Sequence, residues 1–195
     1  MVETITPAVH GGRKARYLWS VGAHVLGAAL TAGALGLGLG AGGHLLGAPW
    51  GSQGLLGIAA IGGAYAMGAA GAPVPVLQRR RQVPDWWRTF FSPVTSSFLY
   101  GLGLGAGFLT FLSFGTLTVV AVVALASGDP LLGAAMCTPF GVARGLAVLV
   151  GSGCRDAERA SAMVDRIQAV GLSRGPGAVN AAALVAVAGG ALAGI

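Results

Sequence analysis

From Tyr17 to Gly47 the chain reads YLWSVGAHVLGAALTAGALGLGLGAGGHLLG, without one Asp, Glu, Lys or Arg. The silence continues beyond it. No charged residue occurs between Arg16 and Arg79, from Thr89 to Gly128, or from Gly175 to Ile195. A surface facing water needs charge to stay solvated, whereas a bilayer is crossed by about 20 apolar residues rising 1.5 Å each. Tyr17–Gly47 supplies roughly 30 residues, enough for one long, tilted or broken helix and too few for two. The fold class read from these runs is all-α, a polytopic membrane helical bundle.

Composition agrees. Of 195 residues, 54% are hydrophobic and 9% charged, against about 25% charged in soluble domains, and mean hydropathy is +0.75. The net charge of +6 does not mark a nucleic-acid binder, because the basic residues sit where loops leave apolar segments. Residues 1–16 read as a cytoplasmic N-terminal segment and residues 17–195 as a single transmembrane domain. The first apolar stretch is longer than the 7–15 residues of a cleavable signal core, so it reads as an uncleaved helix. Two cysteines are too few for a disulfide framework. Arg far outnumbers Lys and Gly, Ala and Val dominate, a usage that points to a GC-rich bacterial genome.

Five spans are expected, at about 17–47, 54–77, 96–127, 131–151 and 178–195. The turns are Ala48-Pro49-Trp50-Gly51-Ser52 and Ser127-Gly128-Asp129-Pro130, a basic aromatic loop covers 78–93, and Pro73 and Pro75 end the second helix early. Residues 155–170 read as an amphipathic helix lying in the membrane interface, with Ala160, Met163, Val164 and Ile167 on one face. With five spans, every Lys and Arg cluster falls on one side, and the loops around Pro49 and Asp129 hold none. Basic residues stay in the cytoplasm during insertion, so for a protein of the cytoplasmic membrane the N-terminus is expected in the cytoplasm and the C-terminus outside. A sixth span arises only if one long stretch folds as a re-entrant pair.

Glycine is the most abundant residue, at 35. Gly36–Gly42 and Gly101–Gly107 both read Gly-Leu-Gly-Leu-Gly-Ala-Gly. Pairs four apart, Gly36/Gly40 and Gly101/Gly105, let helix backbones approach closely, the ordinary way membrane helices pack. A long helix followed by a shorter one occurs twice, which reads as an internal pseudo-repeat of the kind found in transporters. Gly38–Gly43 matches GxGxxG in spacing, but it lies in an apolar span and lacks both the preceding strand and the acidic residue of a dinucleotide site.

Arg144 is the only charged residue within an expected span. Such a group is either functional or snorkels to the interface, which here lies about eight residues, roughly 12 Å, away. Just upstream, Cys137-Thr138-Pro139 joins a thiol, a hydroxyl and a helix-breaking proline, and broken helices at membrane depth face protein or a water-filled cavity. The substrate-path candidates are Arg144, Pro139, Thr138, Cys137, Thr110 and Thr31. Asn180 is a polar group inside a span whose expected role is an interhelical hydrogen bond. His24 and His44, 20 residues apart on one helix, cannot share a metal and read as packed or solvated. Arg79, Arg80, Arg81, Trp86, Trp87 and Arg88 are candidates for contact with anionic lipid or with a membrane or cytoplasmic protein partner. A homo-oligomer is compatible with the glycine faces.

The long Gly-rich helices with Thr31, Thr110 and Pro139 near mid-membrane, over about residues 17–152, resemble the membrane domain of thiol-disulfide interchange and cytochrome c biogenesis proteins and related small exporters. That resemblance implies six helices and a cysteine in each of two pseudo-symmetric helices. Here the comparable positions carry Thr31 and Thr110, and the one thiol in a span is Cys137. The expected function is transport or export of a small solute; the alternatives are a non-catalytic membrane subunit of a larger complex and thiol redox chemistry at Cys137. No paired carboxylates, Ser/His/Asp arrangement or metal-ligand spacing occurs within the spans, so neither an enzyme, a cofactor nor a metal is expected.

Overall fold

Many large apolar side chains of this protein face outward, while small residues such as Ala28 and Ala124 and the polar Ser20 and His24 are buried alongside Leu117 and Leu184. In the computed structural model, which describes residues 5, 10, 13–76, 86–107, 115–153 and 157–195 (of 88, 157, 160, 164, 168, 171, 172 and 174 the backbone only), all regular structure is helical. The elements are α1 (Lys14–Leu45), α2 (Gly51–Ala69), a single turn α3 (Trp87–Phe90), α4 (Pro93–Gly105), α5 (Thr116–Ser127), α6 (Pro130–Leu146) continuing as a 3-10 segment (Ala147–Gly153), α7 (Ala157–Leu172) and α8 (Arg174–Ala193). Among the described residues, three helical stretches are long and apolar enough to cross a membrane: Lys14–Leu45, Pro130–Gly153 and Gly175–Ala193. On α1, Ala28 is fully buried while Trp19 is 73% and Leu30 53% exposed. Each large apolar side chain left facing water forgoes about 1.5–3 kcal/mol of burial, so this arrangement suits lipid as the outer solvent. The chain is a membrane-type helical protein.

Local signals set the helix ends. Ser92 caps α4 by accepting the Thr95 N–H at 3.2 Å, with Pro93 as the first helical residue. Asp129 does the same for α6, one Oδ1 accepting from Leu131 (2.8 Å) and Leu132 (3.1 Å) ahead of Pro130. Gly128 closes α5 at φ 64°, in the left-handed region. Where the sequence reads one stretch over 96–127, helix α4 ends at Gly105, with Gly107 in the left-handed region at φ 60° just beyond it, and α5 begins at Thr116; residues 108–114 lie outside the described residues. The last stretch begins its helix at Arg174, four residues before the expected span.

The chain divides into two units: one holds residues 1–32, 79–110 and 138–172, the other residues 33–78, 111–137 and 173–195. In the first, α1 is the packing axis. A Cβ on Gly101 would strike the carbonyl oxygen of His24, and one on Gly105 that of Ala28; Gly141 and Gly145 of α6 press on Ala28 and Val25. In the second, Gly36 of α1 meets Gly133, Gly40 meets Asp129 and Pro130, and Gly43 meets the Leu125 carbonyl. Both copies of the glycine heptapeptide thus place their first and fifth residues against backbone. The second unit also packs α2 on α8 and α5, with Leu184, Val119 and Ala66 buried together. A hydrogen bond from Thr116 Oγ1 to Asn180 Oδ1 ties α5 to α8.

Candidate functional site

Arg144 lies in the last turn of α6, half-buried, within the first unit. Its Nη1 donates to the Leu104 carbonyl oxygen of α4 at 3.4 Å, and its guanidinium carbon stands 5.7 Å from the centre of the Phe140 ring, one turn back. A guanidinium over an aromatic face is attracted by the ring quadrupole. The last carbonyls of a helix also favour a cation. The position is reached because Gly141 and Gly145, lacking side chains, bring α6 against α1 at Ala28 and Val25. Thus a planar cation is fixed at a glycine-lined helix crossing.

Of the other path candidates, Pro139, Thr138 and Thr31 belong to the first unit and Cys137 to the second. Pro139 sits inside α6 with its ring exposed and gives no N–H to the Ala135 carbonyl. Thr138, beside it, is half-buried. Cys137 falls in the second unit and is fully buried, against the backbone position of Gly36. Thr31 turns its hydroxyl back to the Gly27 carbonyl at 3.2 Å within its own helix, a common way to satisfy such a group at membrane depth. Thr110 lies outside the described residues, as do Arg79, Arg80 and Arg81 of the basic loop; of Arg88 only the backbone is described.

What remains of that loop is aromatic. Trp86 meets Trp87, Phe90 and Phe91 with ring centres 6.0–6.2 Å apart, and Trp87 meets Tyr100 at 5.7 Å. Ser96 Oγ holds the Trp87 carbonyl at 2.8 Å. Trp86, Phe90 and Phe91 are exposed, a cluster suited to the headgroup level of a membrane.

A buried polar seam in the first unit carries more than the sequence alone conveys. His24, 1% exposed, donates from Nδ1 to the Ser97 carbonyl of α4 at 3.0 Å, which fixes its tautomer, and His10 bonds Ser20 at 2.8 Å. The signal was present in Ser20 and His24, one turn apart in an apolar run, and in the pair Ser96-Ser97. Among the described residues no group of three His, Cys, Asp or Glu could hold a metal ion.

No family model matches the chain, and no solved structure matches it. It is similar to the methylamine utilization protein MauF of Methylophilus methylotrophus, with 36% identity over 129 residues, 65% of this chain and 45% of that protein. The matched region therefore spans under half the length of that relative.

Proposed function

We propose that this is a multi-pass protein of the cytoplasmic membrane, N-terminus inside, with five spans at residues 17–47, 54–77, 96–127, 131–151 and 178–195, that passes a small anionic solute along a path at Arg144. The observation that carries the reading is the Arg144 guanidinium, half-buried on an apolar helix between the Leu104 carbonyl and the Phe140 ring. An ionisable group costs free energy at such depth and is kept where it meets a substrate or ion. Orientation follows from the confinement of Lys and Arg to the N-terminus, the 78–93 loop and the 155–174 segment, with Arg144 the exception.

Uptake by the purified protein in liposomes tests this. Acetate, sulfate and phosphate are the probes, with methylammonium included because of the name carried by the relative. Saturable uptake of an anion supports the reading; uptake of methylammonium alone, or of nothing, refutes it.

A second reading is favoured by a different feature. Met67, Val185 and Leu192 leave an apolar groove of about 520 Å³ along α2 and α8, floored by Gly63, Ala66 and Ala188. This face suits a transmembrane helix of a partner, and the protein is then a non-catalytic subunit. A single-component particle after mild detergent extraction counts against it.

A further inference from the structure

One face of α1 in the first unit stays outward. The opposite face is occupied: Tyr17 and Val21 pack with Ile5 and Val148, Ser20 bonds His10, His24 bonds the Ser97 carbonyl, and Gly141 and Gly145 press on Ala28 and Val25. What remains is a row at every fourth residue, Lys14, Leu18, Gly22, Leu26 and Leu30, all exposed. Residues four apart lie one above the other on a helix, so the row runs nearly straight along its surface. Arg16 and Trp19, also exposed, flank it on one side.

The chemistry along this face changes once. Lys14 and Arg16, with Arg13 just ahead of the helix, put three exposed cations at its start, and the first turn holds no acidic residue to pair with them. Beyond them every exposed residue as far as Leu30 is apolar or glycine. From Lys14 to Leu30 the rise is about 24 Å, close to the ~20–22 Å depth of one bilayer leaflet with its headgroups. Gly22 interrupts the row. A Cβ there would meet no described atom within 4 Å, so no close approach inside the described chain accounts for a residue that helices accommodate less well than alanine. It leaves a notch between Leu18 and Leu26, about 12 Å along the helix from Lys14. Cations at headgroup level above an indented apolar surface complement the two halves of a phospholipid. A protein helix would also fit the notch, but the cations favour an anionic headgroup.

We infer that this face of α1 holds an anionic phospholipid, its phosphate against Lys14 and Arg16 and an acyl chain laid across Gly22 between Leu18 and Leu26. Each basic residue near a membrane surface strengthens its hold on anionic lipid about fivefold. The site shares no residue with the surroundings of Arg144 and is the same for either orientation of the chain, so lipid binding and anion transport can fail separately.

Trp19, one turn from both Arg16 and Gly22, is the reporter. The full chain carrying Trp50→Phe, Trp86→Phe and Trp87→Phe is placed in phosphatidylcholine nanodiscs with rising fractions of acyl-brominated phosphatidylglycerol or acyl-brominated phosphatidylcholine, and quenching of Trp19 gives the relative binding constant of the two lipids. A preference for phosphatidylglycerol of at least about twentyfold is expected, falling to within about fivefold when Lys14→Gln and Arg16→Gln leave Arg13 alone. Gly22→Leu, which fills the notch, should weaken quenching by phosphatidylglycerol several-fold with Tm unchanged. Should the single-tryptophan protein not fold, native mass spectrometry of the otherwise unaltered chain, comparing retained phosphatidylglycerol with phosphatidylcholine in the presence and absence of the two Gln substitutions, decides the same question. Equal binding of the two lipids, a preference unchanged by the Gln substitutions, or quenching unaffected by Gly22→Leu overturns the inference. So does a Trp19 that neither lipid quenches, the result of a protein segment covering this face.

Discussion

Gly36 on α1 and Gly133 on α6 stand so close that a methyl group on either would strike the carbonyl oxygen of the other. Membrane helices gain little from apolar burial, since lipid tails are as apolar as leucine, and associate through packing of this kind. Gly36→Leu or Gly133→Leu must therefore push the helices apart. A loss of about 1–3 kcal/mol is expected for overpacking, read as a lower Tm in mild detergent by tryptophan fluorescence. Gly38→Ala, at a position with nothing within 4 Å of the added carbon, should leave Tm unchanged or raise it slightly. Equal effects at Gly36 and Gly38 would show that the contact is not formed.

The buried bond from His24 to the Ser97 carbonyl joins α1 to α4. His24→Leu removes the donor and should lower stability by about 1–3 kcal/mol. His24→Asn supplies an amide donor and should recover part of the loss. Thermal unfolding of the three proteins side by side checks this; a Leu variant as stable as the wild type would show that the bond contributes nothing.

The glycine pairs Gly36/Gly40 and Gly101/Gly105 were legible in the sequence because small residues four apart fall on one helix face whatever the partner. Asn180 was legible as an interhelical bridge for a similar reason: a polar group inside a span has few other fates. The fixed place of Arg144 was only half legible. Its place near the end of an apolar helix followed from counting residues, but Leu104, which accepts its hydrogen bond, lies 40 positions away, and no periodicity reports such a pairing. The contact of the Tyr65 ring with Gly115 was not legible at all. It joins residues 50 positions apart in the chain. Among composition-biased Gly and Ala, Gly115 does not stand out.

Topology is open to direct chemistry. In a background with Cys137→Ala and Cys154→Ala, single cysteines introduced as Ser52→Cys and Ile195→Cys should react with a membrane-impermeant maleimide on intact cells. Gln82→Cys should react only after the membrane is opened. Protection of the Ile195 position in intact cells would mean an even number of spans and would contradict the five-span account.

Cys137 is fully buried on α6, away from any oxidant in water. Cys137→Ala together with Cys154→Ala should leave solute uptake within about twofold of wild type, at a small cost in Tm from the lost sulfur. Loss of uptake in that variant, with the fold intact, would favour thiol redox chemistry instead.

The proposed transport depends most heavily on Arg144. The decisive measurement is anion uptake by proteoliposomes containing matched amounts of wild type, Arg144→Gln and Arg144→Lys, each shown to be folded by its Tm. The guanidinium between the Leu104 carbonyl and the Phe140 ring predicts a fall of at least about tenfold for Gln, the loss expected when a charge-assisted hydrogen bond worth ~1.5–3 kcal/mol is removed, with partial retention for Lys. Uptake by Arg144→Gln equal to wild type would contradict the account and leave Arg144 as a snorkelling anchor.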